Sequence, residues 1–284
     1  MKIGITGATG QLGRLVVEKL KGKVSAQSIT ALVRNPEKAA DLGIEAREFD
    51  YNNPENLAAA LAGIDTLLLI SGNEIGQRAR QHANVIDAAK KAGIKWFVYT
   101  SLLHADTSSL SLAGEHFATE NALKESRIPY TIMRNGWYTE NYTSSIPAAL
   151  ANGEFLGSSG NGKISSAPRV DYAEAAAIVL STEGHQDKTY ELGGDENYTL
   201  TDLTALISRE TGKNIQYKNL SEADYADVLK NIGLPEGVAK AVSSWGIGTS
   251  KGDLFDDSHQ LSKLIGRPTT SLSQAVKDAL ATSK

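Results

Sequence analysis

The chain has 284 residues, 41% of them hydrophobic, which suits one large domain or a nucleotide-binding core with a smaller companion. Its net charge of −4 predicts no general attraction to nucleic acid or to an anionic membrane. It contains no cysteine, which excludes disulfides, thiolate metal ligands and cysteine nucleophiles and fits a reducing compartment. Because no targeting signal or membrane-length apolar run is found, we expect a cytoplasmic protein without a membrane partner.

Residues 1–134 alternate short apolar strands with amphipathic helices. The apolar runs predict strands, and segments with apolar residues three or four apart predict helices. In chain order, the elements are a strand at 3–6, a helix at 11–21, a strand at 29–33, a helix at 36–42, a strand at 45–49, a helix at 53–63, a strand at 66–70, a helix at 77–92, a strand at 96–100, a helix at 112–126 and a strand at 130–134. This order predicts an α/β fold, a Rossmann-type doubly wound parallel sheet, as a nucleotide-binding domain over residues 1–134.

The alternation stops after residue 134. Aromatic, amide and glycine residues over 135–163 predict loops, a short helix and turns. The later elements are expected to be a helix at 171–181 capped by Asp171, a strand near 188–194, a helix capped by Thr199 or Thr201, and short helices with breaks from Ser221 on. We predict that 135–284 is mainly a smaller, mostly helical and discontinuous substrate-binding domain, with the helix near 170–182 returning to the first domain.

Three glycines, Gly7, Gly10 and Gly13, stand three residues apart between the first strand and the first helix. Gly7 permits the sharp turn out of the strand, Gly10 lets a phosphate approach the backbone, and Gly13 lets the helix pack closely on the strand. The amides at the start of this helix then point towards the pyrophosphate of a dinucleotide. A glycine-rich turn can also be a mere connection, but its place within a βαβ series favours cofactor binding.

Residues after the second and third strands predict which dinucleotide is bound. An NAD site usually has a carboxylate at the end of the second strand, whereas this chain has Arg34 there and no carboxylate before Glu37. A guanidinium binds a 2′-phosphate in a bidentate manner, and a carboxylate would repel it. We therefore predict NADPH rather than NADH, with Asp50 and Tyr51 bordering the adenine. A solvated surface arginine is the alternative.

The chain lacks the Tyr-x-x-x-Lys pair that holds the proton donor in short-chain dehydrogenases, so the catalytic residue is unknown. After the fifth strand it has Thr100, Ser101 and His104 instead, and His104 is either a proton donor or an ordinary hydrogen-bonding group. His116 and Glu120 do not form a metalloprotease pattern, and we expect no metal. No Gly-x-Ser-x-Gly sequence supports a serine hydrolase.

The chain resembles the NmrA-like group of atypical short-chain dehydrogenases in seven segments. These are ITGATGQLG, ALVRNPEK, FDYNNPENLAAAL, LLLISGNEIGQRARQHANVIDAAKKAG, YTSLLHADTSSL, RNGWYTENY and LSKLIGRPTTSL. Within the group, the likeness is greatest to the bacterial type-2 NAD(P)H:quinone oxidoreductases, and it extends from the first strand nearly to the C-terminus. The resemblance implies a cytoplasmic reductase that prefers NADPH and uses no flavin.

The resemblance also implies roles at matching positions. Gly7, Ala8, Thr9, Gly10, Gln11 and Leu12 would hold the pyrophosphate, and Arg34 the 2′-phosphate. The loop Asn73–Arg78, with Gln77, would run beside the nicotinamide ribose. The other predicted cofactor residues are Gly13, Asp50, Tyr51, Ile70, Ser71, Thr100 and Ser101. The substrate or nicotinamide pocket would be lined by Asn135, Gly136, Trp137, Tyr138, Asn141, Tyr142 and Arg169. For Trp137, Tyr138 and Tyr142, ordinary aromatic packing is the alternative.

The function that we predict is direct hydride transfer from NADPH to a quinone. A reduced quinone is a stabilised phenolate, so a dedicated Tyr-Lys acid is less necessary, and Trp137 and Tyr138 present flat rings to a flat acceptor. One alternative is a dinucleotide-binding redox sensor or regulator without turnover. Another is a reductase of the same fold that acts on a dye, an imine or an aryl ether. The sequence is compatible with a homo-oligomer and does not determine the oligomeric state.

Overall fold

A computed structural model describes residues 1–282 and divides the chain into two compact units. The first unit comprises Met1–Asp106, Leu112–Asn135 and Arg169–Glu191, and the second comprises Thr107–Ser111, Gly136–Pro168 and the residues from Leu192 on. The assignment of cofactor and substrate to separate domains stays a prediction. Among the helices of residues 1–282, none has the length and apolar character needed to cross a membrane.

The first unit is built around a parallel sheet. The strands within residues 1–282 are β1 (Ile3–Thr6), β2 (Ile29–Val33), β3 (Glu45–Glu48), β4 (Thr66–Leu69), β5 (Trp96–Leu102), β6 (Tyr130–Asn135), β7 (Glu154–Gly157), β8 (Lys188–Leu192) and β9 (Gln216–Asn219). Seven of these form a sheet in the order β3-β2-β1-β4-β5-β6-β8, and the pairs from β3 to β6 are parallel. The predicted doubly wound fold is confirmed. Its strand order reverses between β1 and β4, where such folds bind ligands.

The helices begin and end close to the predicted positions. They are α1 (Gln11–Lys21), α2 (Pro54–Ala60), α3 (Arg78–Ala92), α4 (Ala113–Ser126), α5 (Glu140–Thr143), α6 (Ile146–Asn152), α7 (Arg169–Ser181), α8 (Leu200–Thr211), α9 (Glu222–Asn231), α10 (Glu236–Ser250), α11 (Gln260–Ile265) and α12 (Leu272–Thr282). The segment Pro36–Leu42 is a 3₁₀-helix. Thr199 caps α8, where its hydroxyl accepts from Asp202 N–H and the Asp202 carboxylate accepts in return.

The predicted cap at Asp171 is wrong. α7 begins two residues earlier, at Arg169, so that Asp171 lies within its first turn and is buried. Pro168 stands immediately before the helix, and proline is favoured at helix starts because its missing N–H costs no intrahelical bond. The N-terminal position of Asp171 remains favourable for a carboxylate, because the first turn of a helix carries partial positive charge.

Helices cover both faces of the sheet in the first unit. β1, β2, β4 and β5 are buried along their whole length, as expected of strands covered on both sides. α1 packs against α7, and α3 packs against α2 and α4. The core between α2, α3 and the sheet contains Leu57, Leu67, Val85 and Phe97. The carboxyl ends of the strands are thereby held in fixed positions.

The second unit has its own core and a strand pair that the sequence pattern did not predict. β7 and β9 run parallel, with Glu154 opposite Gln216 and Gly157 opposite Asn219. Each strand has only four residues, and both carry polar side chains, so the alternation signal is weak. The core of this unit includes Ile146, Phe155, Leu203, Ile207 and Val276.

Candidate functional site

The glycine-rich turn between β1 and α1 is tightly closed. Gly7 has φ +60°, in the left-handed region that favours glycine. Its N–H donates to Leu32 O at 3.1 Å, and its carbonyl accepts from Gly10 N–H at 2.9 Å. A Cβ on Gly13 would lie 2.2 Å from Gly7 O and 2.7 Å from Ala8 Cα. Only glycine at position 13 lets α1 approach the turn this closely.

α1 begins without a side-chain cap. Gly10 occupies the N-cap position, and the backbone bond from Arg14 N–H to Gly10 O measures 3.0 Å. The amides of Gln11, Leu12 and Gly13 precede Arg14. The first amides of a helix have no intrahelical acceptor and carry partial positive charge, so they favour anions. The glycine backbone and these amides together fit a pyrophosphate.

The other residues of the turn differ in exposure. Ala8 and Leu12 are buried, Thr9 is half-buried and Gln11 is exposed. The Arg14 guanidinium holds the outer side of the turn, since its Nε donates to Thr9 O at 3.3 Å and its Nη1 bonds Asp41 Oδ2 at 2.5 Å. The hydrogen bond from Arg14 lowers the pKa of Asp41.

Arg34 follows β2 and carries a positive charge at the predicted 2′-phosphate position. Its side chain is 67% exposed, and its Nη1 lies 3.3 Å from Glu74 Oε1. The other oxygen of this carboxylate accepts from Gln81 Nε2 at 2.8 Å. Glu74 was not among the predicted site residues. It places a negative charge where a bound phosphate would compete for the same guanidinium.

Tyr51 connects the ends of β1 and β4. Its hydroxyl donates to Thr6 Oγ1 at 2.6 Å and lies 3.1 Å from Ile70 O. Burial raises the pKa of Tyr51, so that the phenol stays protonated. Asp50 faces the adjacent turn, where its carboxylate accepts from Asn52 N–H at 3.0 Å. The structure thus brings Tyr51 and Ile70 together beside the glycine-rich turn, and their contact with adenine stays a prediction.

The loop after β4 is held by side chains of α3, α4 and β5. Ser71 N–H donates to Thr100 Oγ1 at 2.9 Å, and Gly72 N–H donates to His82 Nε2 at 3.0 Å. The Gly72 carbonyl accepts from Arg78 Nε at 2.9 Å. Both polar groups of Gly72 are therefore bound by residues of α3. Asn73 and Gln77, in the same loop, are exposed.

Arg78 and His82 are buried supports of this loop. The Arg78 guanidinium is 6% exposed and pairs with the Glu115 carboxylate at 3.1 Å. Arg78 therefore fixes the loop through its Nε and Nη1, and its predicted contact with the cofactor stays a prediction. Burial, and secondarily the nearby Arg78, lowers the pKa of His82 to about 3. The sequence analysis did not identify His82 as a residue that supports the loop. The available signal was its position four residues after Arg78, which places both side chains on the same face of α3.

A buried ion-pair network stands at the ends of β5 and β6. Arg134 binds Glu120 through two nitrogens, with distances of 2.9 and 2.7 Å, and its Nη1 lies 2.8 Å from Glu191 Oε1. Burial alone would lower the pKa of Arg134, but the bonds to Glu120 and Glu191 raise it. Ser101 Oγ donates to Glu120 Oε1 at 2.6 Å. The predicted cofactor residue Ser101 therefore belongs to this network.

Asn135 ends β6 and is 4% exposed. Within residues 1–282, its side-chain oxygen Oδ1 is buried and has no hydrogen-bond partner. Buried polar atoms are normally paired, and one without a partner calls for a ligand or a water that supplies a donor. Asn135 thus fits the predicted role of holding a polar ligand group.

The other predicted pocket residues lie in the second unit, apart from Arg169, which begins α7 in the first. The rings of Trp137 and Trp245 meet edge-on, with centroids 5.5 Å apart and an angle of 69°. Tyr142 makes a similar contact with Tyr198, at 6.4 Å, and packs against the core of this unit. For Tyr142, the geometry favours the packing alternative.

Backbone pairing holds the segment around Trp137. Thr139 N–H donates to Ala167 O at 3.0 Å, and Tyr138 forms a parallel bridge with Ala167. Gly136 N–H donates to Leu192 O at 2.8 Å. Tyr138 is half-buried, whereas Asn141 is exposed. Their contacts with a substrate stay predictions.

No metal-binding cluster of three or more His, Cys, Asp or Glu side chains is found in residues 1–282. The predicted cofactor residues of the first unit lie near the carboxyl ends of its strands. There the glycine-rich turn, Tyr51, Ile70, Ser71 and Thr100 surround the point between β1 and β4 where the strand order reverses. This arrangement suits a dinucleotide.

Comparisons with known proteins agree with this geometry. Residues 7–183 match a family described as NAD(P)H-binding. Quinone oxidoreductase 2 of Escherichia coli (strain K12) is 57% identical over 277 residues, which cover 96% of this chain and 97% of the relative.

Solved structures show the same similarity. The NADPH-dependent quinone oxidoreductase of Escherichia coli, solved in complex with NADPH, matches with a TM-score of 0.96 and 56% identity, covering 98% of this chain and 99% of the other. The triphenylmethane reductase of Citrobacter sp., solved with NADP(H), matches with a TM-score of 0.94 and 40% identity, covering 98% and 100% of the two chains.

Proposed function

We propose that this chain, which belongs to the NAD(P)H-binding family, is an NADPH-dependent quinone oxidoreductase that works without flavin or metal. The observation that carries the proposal is the 57% identity to the Escherichia coli quinone oxidoreductase over nearly the full length of both chains. The resemblance to the NmrA-like reductases is confirmed by the same comparisons. Binding of NADP(H) follows from the family and from the fit of the glycine-rich turn.

Three parts of the predicted site, two for the cofactor and Asn135 of the substrate or nicotinamide pocket, have roles that their positions support. The amides at the start of α1 bind the pyrophosphate, because Gly7 and Gly13 leave the backbone accessible and close to the helix. Arg34 binds the 2′-phosphate through its exposed guanidinium and thereby selects NADPH. Asn135 accepts a hydrogen bond from the bound ligand through its buried oxygen.

The proposed hydride transfer requires little acid-base catalysis by the protein. NADPH, when bound, supplies a hydride. A quinone that accepts it becomes a hydroquinone anion, which takes one proton from water to give the hydroquinone. The protein's contribution is therefore to hold the donor and the acceptor in order and to exclude side reactions. Amide groups of Asn73, Asn135 and Asn141 are the candidates for polarising the acceptor oxygen.

The remaining attributes follow from composition. The net charge of −4 argues against nucleic acid as a partner, and the zero cysteine count fits the reducing cytoplasm that we propose as the location. Neither a membrane partner nor a particular oligomeric state is required by the proposed reaction. We place the protein in the cytoplasm, acting on a small-molecule quinone.

Reduction of triphenylmethane dyes is a second candidate function. It is favoured by the 40% identity to the Citrobacter reductase over nearly the whole chain. A dinucleotide-binding sensor without turnover is the remaining alternative. The three functions bind the same cofactor, and they differ in which acceptor, if any, oxidises it.

The test is NADPH oxidation by the purified protein, followed by nicotinamide absorbance, with no flavin added. The acceptors are a panel of quinones and one triphenylmethane dye, and NADH is run in parallel. Rapid quinone-dependent oxidation of NADPH, slower with NADH, supports the proposal. Tight NADPH binding without turnover contradicts it and supports a sensor, and turnover with the dye alone supports the second candidate. Absorbance of the purified protein in the flavin region would contradict the flavin-free mechanism.

A further inference from the structure

The loop that follows β4 borders the predicted cofactor site on two sides. A Cβ on Gly7 would lie 3.6 Å from Ile70 Cβ, so the loop begins beside the glycine-rich turn. Further along the loop, Glu74 Oε1 lies 3.3 Å from Arg34 Nη1. The loop also leaves the sheet between β1 and β4, where the strand order reverses and ligands bind in such folds. The path of this loop therefore shapes the place that a dinucleotide would occupy.

His82 holds this loop through a hydrogen bond to its backbone. The imidazole is 0% exposed, and its Nε2 lies 3.0 Å from the Gly72 nitrogen. A backbone N–H can only donate, so Nε2 must accept and cannot carry a proton. In a neutral imidazole the proton then lies on Nδ1. The contact with Gly72 thus specifies which tautomer of His82 the folded protein contains.

Thr119 of α4 accepts the proton of that tautomer. Its Oγ1 lies 3.0 Å from His82 Nδ1, and its hydroxyl donates to Glu115 O at 2.9 Å. Because the single hydroxyl proton is used at Glu115, the oxygen is an acceptor for Nδ1–H. The partner of one ring nitrogen decides which tautomer a histidine adopts. Thr119 therefore acts on the loop through His82.

Packing and a second hydrogen bond restrict the movement of these groups. The rings of Tyr51 and Tyr99 contact the imidazole edge-on, with centroid distances of 6.1 and 5.4 Å. The Gly72 carbonyl accepts from Arg78 Nε at 2.9 Å, so α3 binds both polar groups of this residue. The imidazole cannot turn without losing its bonds to Gly72 and Thr119. The position of Gly72 is thus determined by buried groups on two helices.

We propose that His82, kept in its Nδ1–H tautomer by Thr119, is a positioning residue that gives the loop after β4 the shape that binds the dinucleotide. The inference rests on the cofactor binding of the proposed function and adds a buried residue that acts through the Gly72 backbone. Loss of the bond to Gly72 releases the loop and displaces groups that border the site. NADPH and NADH should then both bind more weakly, whereas loss of Arg34 should affect NADPH alone.

Two substitutions of His82 separate its two hydrogen bonds. Glutamine places its side-chain oxygen near the position of Nε2 and keeps an acceptor for Gly72, whereas asparagine reaches only the position of Nδ1 and loses that acceptor. Calorimetric titration with NADPH and with NADH, without any acceptor, should give a Kd about tenfold higher in His82→Asn. The Kd should rise less than about twofold in His82→Gln. Equal losses in the two variants, or no loss in His82→Asn, would overturn the proposal.

Thr119 provides an independent test with a matched control. Thr119→Val removes the acceptor for Nδ1–H and should raise the Kd for both dinucleotides about fivefold, whereas Thr119→Ser keeps a hydroxyl and should bind like the wild type. Thr131→Val is the control, since Thr131 is a buried threonine near the amino end of β6, at the opposite edge of the sheet, and its hydroxyl donates to His185 O. It should bind both dinucleotides normally. A loss in Thr131→Val as large as in Thr119→Val would contradict the proposal.

The tautomer can be measured directly in the protein without ligand. Nitrogen-15 NMR of the histidine-labelled protein should show a ring with its proton on Nδ1, and this signal should be missing in His82→Gln. A proton on Nε2 would overturn the proposal. Thermal unfolding shows whether each variant is folded, and if His82→Asn is not, Thr119→Val and the NMR signal decide. A wild type that binds NADPH but reduces no quinone refutes the reductase and leaves the role of His82 testable, whereas binding of neither dinucleotide refutes both.

Discussion

Replacing Arg34 by alanine removes the cation that we assign to the 2′-phosphate of NADPH. A hydrogen bond between a charged donor and a charged acceptor contributes about 1.5–3 kcal/mol, so the Kd for NADPH should rise about 10- to 150-fold. The side chain is 67% exposed, which places the expected effect towards the lower end of that range. NADH has no 2′-phosphate, and its Kd should change by less than about twofold.

Glu74 provides a second test of the same assignment. Its carboxylate lies 3.3 Å from Arg34 Nη1 and would compete with the 2′-phosphate for the guanidinium. An exposed ion pair is worth about 0–1 kcal/mol, so Glu74→Gln should tighten NADPH binding by up to about fivefold. The amide keeps an acceptor for Gln81, which donates to Glu74 Oε2 at 2.8 Å. NADH binding should be nearly unaffected by Glu74→Gln.

The assay is calorimetric titration of the wild type, both single variants and the double variant with NADPH and NADH. If Glu74 acts through Arg34, its substitution should have no effect once Arg34 is alanine, and the two changes should be non-additive. Lys91→Ala is the control, since Lys91 is an exposed cation in the last turn of α3. Equal losses of NADPH and NADH affinity in Arg34→Ala would refute the assignment. Full additivity in the double variant would refute the coupling.

Three further outcomes are expected. Gly13→Ala places a Cβ 2.2 Å from Gly7 O. Calorimetry should therefore show that the affinities for NADPH and NADH both fall by about tenfold or more. A loss confined to NADPH would contradict the role of Gly13 in shaping the pyrophosphate-binding turn. Arg78→Met leaves the half-buried Glu115 carboxylate without its cation. The free energy of unfolding, measured in urea, should fall by about 3 kcal/mol. Little change would mean that the ion pair is merely a surface contact. The pKa of His82 falls from 6.5 to about 3 on folding, so its contribution is complete above pH 6.5 and decreases by about 1.4 kcal/mol per pH unit as the pH drops towards 3. In His82→Asn, the free energy of unfolding should lose this dependence on pH, which corresponds to about one proton taken up on unfolding. Urea titrations at several pH values measure it, and an unchanged pH dependence would disprove the low pKa of His82.

Much of the first unit could be predicted because its signals are local. Strands buried on both faces appear as short apolar runs, such as Thr66–Leu69, and the helices between them show regular apolar spacing. The glycine-rich turn was predicted in the same way, since each glycine is required by the backbone geometry of the few residues around it. Arg34 could be selected as a candidate because its position relative to β2 follows directly from the strand pattern, and its role stays a prediction.

Boundaries and weak elements were harder to predict. The cap at Asp171 was misplaced, because an acidic residue is favourable both at the N-cap and in the first turn, and the sequence does not distinguish the two. The pairing of β7 with β9 was missed, because two short strands with polar side chains lack a periodic pattern. Each of these depends on neighbours that the local sequence does not contain.

The sequence by itself determined the βαβ order, the glycine-rich turn and the cation after β2, since these depend on contacts within a few residues. Only the tertiary structure decided that Glu74 faces Arg34, that His82 and Arg78 hold the Gly72 peptide, and that Trp245 meets Trp137. The physical reason is that these groups come from separate helices and loops. Their contacts exist only after the hydrophobic cores have packed and brought distant segments of the chain together.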